Sequence, residues 1–153
     1  MPYPREIKDQ EPQPTLAMRK TTSVEKLPQV LGSVYGAIMG HLVALGEHPT
    51  GPPYAAYFNM DMQALDVEIG FPVSRKLDAQ GDMQPGEIPG GKVATSLFVG
   101  PYSEMEPAYD ELKAFIEEQG HEATGVVYEM YLNDPGDAPE TAQTLIVLPL
   151  KAN

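Results

Sequence analysis

The chain has 153 residues, with 22 acidic against ten basic side chains, a formal net charge of −12 and no cysteine. That length suits one domain whose core takes about two-thirds of the unfolded surface out of water. The charge argues against a phosphate-neutralising nucleic-acid face or docking on an anionic membrane. The absence of cysteine excludes thiol catalysis, disulfides and Cys-bound zinc or iron–sulfur sites.

Taken in chain order, residues 1–13 are polar and proline-rich and read as extended, with no apolar h-region. No apolar run approaches the length needed to span a bilayer, so a cytoplasmic protein without a membrane partner is expected. Leu16–Thr22 reads as a strand. Pro28 to Gly46 reads as a helix, with Pro28 in its first turn and Gly46 as C-cap. Its inward stripe is Leu31, Val34, Tyr35, Ile38, Leu42 and Leu45. Pro53–Met60 and Asp66–Val73 are strands, and the Pro/Gly/Asp-rich stretch 74–91 reads as a solvated loop. Lys92–Val99 is a strand, and Gly100-Pro101-Tyr102 is a turn. Ser103 with Glu106 has the spacing of a capping box for a helix running to Gly120. Met105, Ala108, Tyr109, Leu112, Phe115 and Ile116 face inward on that helix. Gly125–Leu132 and Gln143–Leu150 are the last strands. The class is α+β with an antiparallel sheet, not a doubly wound parallel one.

The chain also repeats itself. Gly46–Asn59 aligns without a gap on Gly120–Asn133, 74 positions later, with six of fourteen residues identical. The identities are Gly46/Gly120, Thr50/Thr124, Gly51/Gly125, Tyr54/Tyr128, Tyr57/Tyr131 and Asn59/Asn133. Tyr35 falls on Tyr109 at the same offset, and Val67–Val73 matches Thr144–Leu150 after three extra residues. Two β-α-β-β repeats, about 14–73 and 92–150, are expected to form a single domain with pseudo-two-fold symmetry and a central hydrophobic groove along the seam.

The sharpest departure from the repeat is Glu129, which stands where the first copy has Ala55. Strand alternation puts Val127, Glu129 and Tyr131 on one face and Tyr128, Met130 and Leu132 on the other. The second set is the more apolar and is assigned to the helix side. Glu129 and Tyr131 then face the groove with Tyr57. A carboxylate among aromatic rings suits an amphipathic cation. Spacing alone leaves open that Glu129 is a solvated strand residue, that the tyrosines are core, and that Glu68 lies at a solvated edge or on the rim of a site. The histidines have no ligand spacing, and no phosphate loop or Ser/His/Asp pattern is present. No metal and no cofactor are expected.

In order and spacing, Gly51–Tyr57, Val67–Val73, Val99–Tyr102, Tyr128–Pro135 and Leu148–Leu150 resemble the GyrI-like, or AraC-type bacterial effector-binding, domain family over about Thr15 to Leu150. The resemblance implies a duplicated βαββ fold whose groove binds organic, often cationic or aromatic, compounds. It implies a groove-facing acidic residue at Glu129, with Tyr57, Tyr131, Glu68 and Tyr102 as further ligand-binding candidates. Many members carry a helix-turn-helix domain, for which this chain has no room. Some resemble hydrolases of cyclopropane-bearing toxins, in which case Glu129 and Tyr131 would be catalytic. The founding name implies a protein partner such as a topoisomerase. A related branch binds haem, for which the lone His41 is insufficient.

Overall fold

The computed structural model describes residues 4–134, 136 and 138–152; Pro135, at the end of one family-like motif, lies outside them. The chain folds as two units, Pro12–Pro89 and Met1–Glu11 with Gly90–Asn153. The first contains β2 (Gln13–Thr22), α1 (Leu27–Leu45), β3 (Tyr54–Tyr57), β4 (Leu65–Pro72) and β5 (Gln84–Ile88). The second contains β1 (Arg5–Gln10), β6 (Gly91–Val99), α2 (Glu106–Glu118), β7 (Val127–Tyr131) and β8 (Gln143–Pro149). Strand pairing within each unit is antiparallel: β4 lies between β2 and β3, and β8 between β6 and β7. Each βαββ core gains a fourth strand, β5 beside β2 and β1 beside β6.

One of the added strands fits the extended N-terminal segment of the sequence reading, and the other corrects it. The polar N-terminal segment pairs with β6 from Arg5↔Ser96 to Gln10↔Gly91. The connector read as a solvated loop supplies β5, and it buries Leu77 and Ile88. Turn-forming residues mark where a chain can bend, but edge strands are held by ladder hydrogen bonds that carry no composition signal.

The identical residues do identical work in the two units. Gly46 and Gly120 end their helices in the left-handed region, with φ of 72° and 77°. At each end the next amide donates back into the helix, Glu47 to Leu42 and His121 to Ile116, in a Schellman pattern. The amides of Thr50 and Thr124 donate to the carbonyls of Pro72 and Pro149, both at 2.9 Å. Asn59 bridges the carbonyl of Ala64 and the amide of Asp66, and Asn133 does the same with Thr141 and Gln143. Tyr57 pairs with Val67 as Tyr131 pairs with Thr144.

The helices depart from expectation in three details. On α1 only Val34, Ile38 and Leu42 are fully buried, and Leu45 is exposed. This helix has no charged residue and is long and apolar enough by length and composition to cross a membrane, contrary to the sequence reading. Gly, Ser and His interrupt the apolar run, so counting contiguous residues misses it; here α1 packs on β2 and β4. The capping box is not made either. A 3₁₀ turn occupies Tyr102–Glu104, α2 begins at Glu106 with Met105 as N-cap, and no side chain caps it. The residues expected inward on α2 do pack together, with Ala94, Phe98, Ile146 and Leu148.

Candidate functional site

The face of β7 that meets α2 is the one carrying Val127, Glu129 and Tyr131. Val127 packs against the α2 core, Glu129 lies opposite Ile146 of that core, and Tyr109 of α2 donates a hydrogen bond to Glu129 Oε2. The assignment of Tyr128, Met130 and Leu132 to the helix side is therefore reversed. Apolarity could not decide it, because Tyr128 and Met130 are buried on the other face as well. Parity held, so Glu129 and Tyr131 do share a face.

Three elements of one unit build the cluster around Glu129. The Tyr131 hydroxyl, two residues along β7, donates to Glu129 Oε1 at 2.7 Å, while Tyr109 holds Oε2 from α2. Tyr102, in the 3₁₀ turn before α2, sets its ring edge-on to Tyr131 at 5.8 Å between centroids. Glu129 is half-buried as a residue, but its carboxyl is enclosed by protein, and the carboxyl governs titration. Burial raises the Glu129 pKa above the usual carboxylate range, while the hydrogen bonds from Tyr109 and Tyr131 pull it back down. Tyr102 is also pushed up, first by desolvation and then by the negative charges of Glu129 and Asp134. The arrangement holds a carboxyl that is reluctant to ionise beneath an aromatic wall.

The other candidates lie in the other unit. Tyr57 is on the α1-facing side of its sheet, in the face that includes Val67, Ile69 and Phe71, whose ring meets Tyr35 of α1 at 5.4 Å. Glu68 is on the opposite face of that sheet. There the Tyr54 hydroxyl donates to Glu68 Oε2 at 2.7 Å and sits 3.0 Å from Thr15 Oγ1. Glu68 and Tyr57 are thus not brought together.

The repeat comparison isolates Glu129 further. With Ala55 in its place, the Tyr35 hydroxyl bonds the Tyr54 carbonyl at 2.8 Å, whereas its counterpart Tyr109 bonds Glu129. Sequence reasoning missed Tyr109 as a site residue. It lies on the apolar stripe of its helix, and the reversed face assignment pointed that stripe away from Glu129. Among the described residues no cluster of three metal-ligating side chains occurs.

These features belong to a known class: the chain is a member of the GyrI-like small molecule binding domain family, which matches residues 4–151. No curated protein matches it by sequence. Among solved structures it resembles the EcmrR C-terminal domain, at 20% identity, complete coverage of both chains and a TM-score of 0.82. It covers 58% of the EcmrR chain in that protein's DNA complex, at 18% identity. A hydrolase from Listeria innocua is similar at 16% identity and a TM-score of 0.72, with 98% of this chain and 93% of that one covered. SAV2435 bound to tetraphenylphosphonium is similar at 12% identity and a TM-score of 0.60, with 97% and 94% covered.

Proposed function

We propose that this small-molecule-binding domain takes amphipathic aromatic cations at the Glu129–Tyr109–Tyr131–Tyr102 cluster. The observation that carries the reading is the Glu129 carboxyl, desolvated yet held by two tyrosine hydroxyls. A cation arriving there supplies the counter-charge that the carboxyl lacks, and the tyrosine rings offer cation–π and stacking contact. Long-range attraction by a chain of net charge −12 adds a modest, salt-screened bias toward cations. SAV2435 was seen with tetraphenylphosphonium, so that ion is a fitting first probe. Saturable binding of tetraphenylphosphonium that weakens in Glu129→Gln supports the reading; no binding up to millimolar concentration removes it. The duplication further suggests a groove to which Tyr57 contributes, and Tyr57→Ala tests that part separately.

A second reading follows from the same carboxyl and from the fold shared with the Listeria innocua hydrolase. Glu129 would act as general base and Tyr131 as its partner in opening a strained electrophile. Turnover of a cyclopropane-bearing alkylator, abolished by Glu129→Gln with substrate binding intact, would favour it.

A further inference from the structure

Among the described residues, two fully buried hydroxyls on β6 and β8 have no hydrogen-bond partner: Ser96 Oγ and Thr144 Oγ1. Both lie on the α2-facing side of their sheet. Ser96 is opposite Ile146, which is opposite Glu129; Thr144 sits between Phe98 and Tyr131. Thr144 is thus the direct cross-strand neighbour of Tyr131 and a diagonal neighbour of Glu129, a separation of roughly 7–8 Å or less. A buried hydroxyl without a partner is costly, and native folds rarely retain one without a use.

The duplication supplies the control. In the other unit the positions equivalent to Glu129, Thr144 and Ser96 are Ala55, Val67 and Met18, as the matching registers show. Val67 is fully buried and is the near-isostere of threonine. The same backbone therefore accepts a methyl where the unit that includes Gly90–Asn153 carries the Thr144 hydroxyl, and packing alone does not require the oxygen. These three polar replacements coincide on one face, around Glu129, a carboxyl that the repeat also singles out.

We infer that Thr144, with Ser96 beyond it, is a specificity-determining element: its hydroxyl selects, among aromatic cations, those that also carry a hydrogen-bonding group. The inference rests on the proposed binding reading and adds the ligand's second requirement. Tyr131 is the side chain to move, since it bonds Glu129 and stands across the ladder from Thr144. A ligand that draws Tyr131 aside meets the carboxylate for its charge and the Thr144 hydroxyl for its polar substituent.

The test pairs two permanent cations: ethidium, whose ring amines donate hydrogen bonds, and tetraphenylphosphonium, which has none to offer. Thr144→Val should weaken ethidium about tenfold and leave tetraphenylphosphonium within about twofold, and Thr144→Ser should restore ethidium. The thermal midpoint of Thr144→Val should be no lower than that of wild type, because the variant loses an unpaired buried hydroxyl and keeps its shape. Equal weakening of both cations, or no change in either, overturns the inference and returns Thr144 to packing. Wild type that takes tetraphenylphosphonium but refuses ethidium overturns it as well. Wild type that binds neither cation sinks the binding reading itself, and this inference with it.

Discussion

Glu129→Gln separates charge from shape at the site. Glutamine keeps the length of the side chain, and its amide oxygen can still accept from one tyrosine hydroxyl while its NH₂ donates to the other. The two hydrogen bonds that Tyr109 and Tyr131 make are therefore replaceable, and what is removed is the ionisable group. A charge-assisted contact contributes about 1.5–3 kcal/mol, so a permanent aromatic cation should bind roughly ten- to a hundredfold more weakly to the variant. A neutral aromatic of the same size should bind within about twofold. The pH dependence has a definite sign. Burial raises the carboxyl pKa in the free protein, and a bound cation lowers it by stabilising the charged form. Binding therefore expels a proton, and affinity should rise with pH until the free carboxyl is ionised. Calorimetry in two buffers of different ionisation enthalpy reads that proton directly. Stability runs the other way. A carboxyl raised in the fold favours the folded state most below the unfolded value of about 4.3, and that contribution is lost as pH rises through the folded pKa. The variant should accordingly gain thermal stability over wild type as pH rises. Equal losses for cation and neutral ligand, with a flat pH profile in both proteins, would refute the electrostatic role.

Tyr109→Phe removes the larger of the two hydrogen-bond influences that hold the Glu129 pKa down, so the pH midpoint of cation binding should move upward. An unmoved midpoint would detach Tyr109 from the site. Gly120→Ala forces a side chain into φ of 77° and should cost about 1–2 kcal/mol, or several degrees in the thermal midpoint, without altering the ratio of cation to neutral affinity. Asn133→Ala drops two side-chain bonds that hold the β7–β8 connection, and about 1–2 kcal/mol of stability should go with them. Denaturant melts check both.

Much of the fold was legible because the chain states it twice. Each repeated residue performs a backbone task that few side chains can do: Gly46 and Gly120 turn left-handed, and Asn59 and Asn133 clamp the following connection. Such tasks leave the same letters wherever the backbone recurs. The parity of Glu129 and Tyr131 was legible for the same reason, since strand alternation is geometric. Which face meets the helix was not, because β7 buries Tyr128 and Met130 on one side and sets Glu129 among tyrosines on the other. Apolarity distinguishes an inner face from a wet one, not one covered face from another. Tyr109 was lost to the same ambiguity. Its helical stripe was read correctly, but its target depended on the strand face. Thr144 was present in the alignment opposite Val67, yet a single hydroxyl in an apolar strand weighs little until its partners can be counted.

The asymmetry between the units argues for function more strongly than any one residue does. One βαββ core serves as a physical reference for the other: the same register, helix cap and asparagine clamp are built with alanine at 55, valine at 67 and methionine at 18. The fold therefore does not need a carboxyl at Glu129 or hydroxyls at Thr144 and Ser96, and each costs free energy where it is buried. Stability would favour the apolar set in both units. Polar groups gathered instead on the α2-facing side of one sheet are what a recognition site requires, because a binding partner can satisfy there what the folded chain leaves unsatisfied.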